Sequence, residues 1–153
     1  MKKFLKNQKG LTLVELLAVI VILGIIAAIA VPAIANIIDN SRKDAHVANA
    51  EALYDAARLA VVGEDVSGSQ IFVLDDGEGD EIELLTLGYL ETDLEDPDGG
   101  EYGTVEVDYD SDGNTYTITM EPVFPADENL TINDIREAGR DGFDEDGDFG
   151  DRN

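Results

Sequence analysis

Twenty consecutive residues without a charge, Leu16 to Ala35, constrain this chain more than any other feature. At 1.5 Å per residue they make about 30 Å of helix, the thickness of a bilayer's hydrocarbon core. A basic decapeptide ending in glycine, MKKFLKNQKG, stands before the run. A secretory signal peptide has an apolar core of only about 7–15 residues, with its small-residue cleavage site after that core. Here the small residue, Gly10, precedes the apolar run, so cleavage at that point leaves the membrane helix on the mature chain. Lysines on the amino side predict a single pass through the cell (inner) membrane, with the N-terminus cytoplasmic and the bulk outside.

Charge separates the two ends of the chain. Four of its ten lysines and arginines (Lys2, Lys3, Lys6, Lys9) lie in the first ten positions, so beyond them six basic residues face 34 acidic ones. Such a surface repels nucleic-acid phosphates and anionic headgroups and attracts cations. High charge with low hydrophobicity keeps chains unfolded, but 44% of this chain is hydrophobic. With 153 residues it has room for one domain plus an anchor. There is no cysteine, hence no disulfide and no thiolate nucleophile or metal ligand, and another device must hold the exposed loops.

Helical periodicity runs past the apolar segment. Ile34, Ile38, Ala45, Ala48, Ala52, Ala56 and Leu59 form one stripe, and Val47, Ala50, Tyr54, Ala57 and Val61 an adjacent one. A helix from Leu11 to Val62 is about 78 Å long, with Gly63 as its stop. Pro32, lacking an N–H, is expected to kink it, and Gly24 is a second weak point. His46 falls in this helix just after Lys43-Asp44, where a solvated face is expected. The expected organisation is a leader over 1–10, a transmembrane or filament-core helix over 11–35, its amphipathic extension over 36–62, and an extracytoplasmic domain over 63–153.

After Gly63, Ile71–Leu74 reads as a short strand or extended loop, and Ile82–Leu87 as a short helix ending at Gly88. Asp96-Pro97-Asp98-Gly99-Gly100 has the chemistry of a turn. The clearest β signal pairs alternating Val105, Val107 and Tyr109 with Tyr116, Ile118 and Met120 across Ser111-Asp112-Gly113. Thr131–Ala138 reads as a short helix, and the tail DGFDEDGDFGDRN as too polar to pack alone. The fold class is therefore α+β: a long N-terminal helix, membrane-spanning in its first half, packed on a small antiparallel sheet with acidic loops.

Two acidic loops invite a cation. Asp108-Tyr109-Asp110-Ser111-Asp112-Gly113 imitates the start of a calcium-binding loop, but its twelfth position is Thr119 and strands flank it, so a hairpin turn is the better reading. Asp144, Asp146, Asp148 and Asp151, with Gly147 and Gly150 between them, make a second candidate for Ca2+; the alternative is a solvated tail. Catalysis is not expected. His46 is the sole histidine, and neither a GxSxG nor a P-loop is present.

Glu15 stands out, because an ionised side chain inside a membrane helix costs about 3 kcal/mol and is usually paired or functional. It either snorkels to the headgroups or meets a partner charge.

The stretch Lys9-Gly10-Leu11-Thr12-Leu13-Val14-Glu15-Leu16-Leu17, with the apolar run to Val31-Pro32-Ala33, resembles the type IV prepilin signature shared by pilins, type II secretion pseudopilins and competence pseudopilins. The resemblance implies cleavage after Gly10 by a prepilin peptidase, N-methylation of Leu11, and assembly by a cytoplasmic ATPase-driven machine into a filament with the long helices at its centre. It gives Glu15 the role of neutralising the amine of Leu11 on an adjacent subunit, and it suggests that Gly24 and Pro32 bracket a segment that partly unwinds on leaving the bilayer. Leu11 departs from the pattern, where phenylalanine is usual. Gly88-Tyr89-Leu90, Asp96-Pro97 and the hairpin look like the globular part of secretion major pseudopilins, some of which hold calcium in a C-terminal loop. The implied partners are the chain itself, other pilins, the peptidase, the assembly machinery and the membrane. The uses left open are secretion, adhesion or motility, and competence for DNA uptake; a monomeric signal-anchored, cation-binding surface protein is the rival from another class.

Overall fold

A computed structural model describes residues 12–74, 81–144, 147, 149 and 150. Helix α1 spans Leu13–Gly63 with Pro32 inside it, and strands β1 (Gln70–Val73), β2 (Ile82–Glu83), β3 (Val105–Asp110) and β4 (Thr115–Met120) follow. A last helix, α2 (Ile132–Ala138), precedes a 3-10 turn over Gly139–Gly142. The chain divides into two units, Met1–Asp39 and Asn40–Asn153.

In the first unit the described helix is apolar and almost wholly exposed, from Leu13 through Ile38. In the second unit the remainder of α1 buries one face: His46, Ala50, Leu53, Ala56, Ala57 and Ala60. Four of these six are alanines, which let the helix backbone approach the sheet closely. The seam therefore runs through the second predicted stripe at Ala50 and Ala57. Most of the first stripe faces outward, and Leu59 is 61% exposed.

The sheet order is β2-β1-β3-β4. β1 with β3 and β3 with β4 are antiparallel, but β1 with β2 is parallel, so the sheet is mixed and not antiparallel throughout. Residues 82–87 do not form the expected helix. The Leu84 and Leu85 amides donate to the carbonyls of Val73 and Leu74 at 2.9 and 3.0 Å, so this backbone is spent on β1 and not on a helical ladder. A turn follows and ends at Gly88, whose φ of 80° suits glycine.

The β3–β4 hairpin is as expected, with Val105, Val107 and Tyr109 inward. Phe72, Leu84, Val107, Ile118, Met120, Phe124 and Ile135 fill the core against α1. Thr131 caps α2: its hydroxyl accepts from the Asp134 amide while the Asp134 carboxylate takes the Thr131 amide, a reciprocal capping box. The described part of the tail packs against the domain and not alone. Phe143 and Phe149 are buried, with ring centroids 5.1 Å apart and each against Phe124. Gly142 lies under the Phe149 ring, and the Phe149 amide donates to the Val123 carbonyl at 3.0 Å.

Candidate functional site

Two constellations carry chemistry. The first is the start of α1. Thr12 caps the helix: its hydroxyl accepts from the Glu15 amide at 3.2 Å, and its carbonyl accepts from the Leu16 amide at 3.0 Å. Glu15 thus sits in the first turn, exposed, where the helix dipole favours a carboxylate. Gly10 and Leu11 lie outside the described residues. Gly24 and Pro32 both fall within the helix, and a Cβ at Gly24 would meet nothing within 4 Å. α1 is long and apolar enough to cross a membrane, and its most apolar window has no buried residue.

The second constellation was missed by sequence reasoning. His46 is 2% exposed, not solvated. Its Nδ1 lies 2.8 Å from the Tyr102 hydroxyl, and its Nε2 lies 3.1 Å from Asp98 Oδ2 and 3.9 Å from Asp96 Oδ1. Asn49 donates to the Glu95 carbonyl and to the Tyr102 hydroxyl, both at 2.9 Å, and Arg42 holds Asp98 Oδ1 at 3.1 Å. Burial, reinforced by the Asp96 and Asp98 charges, pushes the Tyr102 hydroxyl up to about 12, against a weaker downward pull from Asn49. The effect is to clasp the Glu95–Tyr102 loop onto α1. The only local hint was the pairing of His46 with Asn49 one turn on, beside the buried Ala50 and Leu53.

The anticipated cation loops fare differently. Asp110 accepts from the Asp112 amide at 3.0 Å, and Asn114 takes a φ of 49°, so that segment is a hairpin turn. Asp144 is described, but Asp146, Asp148 and Asp151 lie outside the described residues. The described trio of ligand-type side chains that converge is instead His46, Asp96 and Asp98.

An exposed apolar helix ahead of a packed α+β domain fits the class of membrane-anchored chains. Residues 5–31 match the family model described as the prokaryotic N-terminal methylation motif, the prepilin-type signature of type IV pilins and pseudopilins. The match includes Gly10, Leu11, Glu15 and Gly24 and stops one residue short of Pro32. The motif supports a type IV pilin-like or pseudopilin precursor and implies, in general, processing by prepilin peptidase and assembly with other pilins. No curated protein and no solved structure matches the chain.

Proposed function

We propose that the chain is a filament subunit stored in the membrane. Residues 11–35 anchor it with its N-terminus cytoplasmic, prepilin peptidase removes 1–10, and Leu11 is then N-methylated. The processed subunit joins a type IV pilus-like or secretion pseudopilus filament. The observation that carries this reading is the apolar surface of Leu13–Ile38, left exposed among the described residues and lying largely within the methylation motif at 5–31. In lipid the surface is solvated by acyl chains; in a filament it is covered by the same surface of neighbouring copies.

Glu15 supplies the register. Its carboxylate, four residues after Leu11, meets the new amine of an adjacent subunit, so two costly charges leave the low-dielectric interior together. A subunit slipped along the axis leaves both unpaired. The Glu15→Gln variant is therefore expected in the membrane at normal amounts but strongly depleted from filaments, as measured by shearing and quantifying released filaments. Unchanged filament yield would remove Glu15 from assembly. Within this reading a secretion pseudopilus is favoured by the likeness of Gly88-Tyr89-Leu90, Asp96-Pro97 and the hairpin to secretion major pseudopilins. The role is structural and not catalytic.

A further inference from the structure

We propose that His46, Asp96 and Asp98 form a binding site for a divalent transition-metal ion of the zinc type, which staples the Glu95–Tyr102 loop to the helix. The imidazole Nε2 and one oxygen from each carboxylate all lie within 4.8 Å of one another, with His46 Nε2 3.1 Å from Asp98 and 3.9 Å from Asp96. Ligands of a four-coordinate zinc sit about 2.0–2.2 Å from the ion and hence about 3.4 Å from each other. Closing this trio on an ion needs shifts of less than about 1.5 Å, within reach of carboxylate rotation.

The outer partners are those a metal site requires. An imidazole ligand is held by a hydrogen bond at its other nitrogen, and here Nδ1 faces the Tyr102 hydroxyl at 2.8 Å, which Asn49 fixes in turn. Each carboxylate is also braced from outside. Arg42 holds Asp98 Oδ1, which leaves Oδ2 turned to His46, and the Asp98 amide donates to Asp96 Oδ1 at 2.9 Å. His46 is buried whereas Asp98 is half exposed, so the Asp98 side of the trio is open to solvent and to a fourth, water ligand. Two carboxylates balance the charge of a divalent ion. The imidazole favours zinc, nickel or copper over calcium or magnesium, which take oxygen ligands. A metal clasp at this position also answers the lack of disulfides in an exported domain.

The sole histidine makes the test direct, since one imidazole signal reports on the site. Full-length protein in detergent micelles, stripped with chelator, is titrated with zinc chloride alone, with calcium chloride in parallel. One zinc equivalent is expected to shift the His46 ring nitrogen resonances, and saturating zinc to raise Tm by on the order of 10 °C. Cobalt at the same site is expected to give the visible absorption of a four-coordinate ion. The Asp96→Asn, Asp98→Asn double variant is expected to lose affinity by on the order of 100-fold or more, and Glu91→Gln to keep it. Zinc that leaves the His46 resonances unmoved overturns the proposal even if the acidic surface takes up metal. So does undiminished affinity in the double variant. Because the wild-type spectrum alone reports ligation, a double variant that fails to fold does not shield the proposal.

Discussion

The two parts of α1 obey opposite rules. Leu13 to Ile38 is more apolar than any other stretch and buries almost nothing, with Leu17, Ile20 and Leu23 each more than half exposed. Asn40 to Gly63 is studded with Asp, Glu, Arg and Lys, yet it buries six side chains completely enough to found a core. Hydrophobicity alone therefore does not say where a helix packs. In the first part the apolar residues surround the helix, which suits a solvent that is apolar in every direction; in the second they keep to one face, which suits one sheet. The first part is left uncovered among the described residues, and the second has found its own partner in the sheet.

That contrast can be broken at either end. Phe124 is fully buried and touches both Phe143 and Phe149, so Phe124→Ala is expected to destabilise the acidic domain by about 4 kcal/mol in urea unfolding. A loss below about 1 kcal/mol would mean that the tail does not contribute to the core. Leu23→Arg tests the other region. It should cost about 3 kcal/mol of membrane insertion, read by alkaline extraction of membranes, while leaving the domain's unfolding midpoint unchanged.

Gly142→Ala sharpens the comparison within the domain. The added Cβ would lie 2.2 Å from Phe149 Cε2 and 2.9 Å from the Ala138 Cβ, so overpacking of about 2 kcal/mol is expected. The same substitution at Gly24, where the space is open, is expected to leave domain stability unaltered.

The smallest effect is electrostatic. Burial, with repulsion from Glu81, Asp108 and Glu121, pushes the Glu106 carboxyl above its ordinary value. A raised acid pKa means that the fold holds this proton more firmly than the unfolded chain does, so its contribution falls as pH rises through that window. Glu106→Gln is expected to raise Tm slightly at neutral pH. The gain should vanish below the ordinary value of 4.5, where wild type is protonated in both states. A gain that persists in acid would point to packing rather than charge.

What the sequence made legible was what depends on near neighbours. The uncharged run, the alternation in β3 and β4, and the short helix over Thr131–Ala138 each declare their structure within one element. What stayed hidden depends on distant partners. β2 is two residues long and exists because β1 offers it a parallel edge, so its own residues read as readily as a helix. His46 looked solvated because its partners, Asp98 and Tyr102, are 52 and 56 residues away. In the tail, two phenylalanines among aspartates pack on Phe124, a partner about twenty residues away, while glycines at 147 and 150 adopt positive φ, 95° and 109°. At the candidate assembly site the motif itself was plain, whereas the metal-type trio was not.

The intact mass of the protein purified from its own membranes tests the anchored-subunit reading most directly. A processed subunit must start at Leu11, shorter by MKKFLKNQKG and carrying one methyl group on the new amine. A mass that retains those ten residues, in protein that also fails to form filaments, would contradict it.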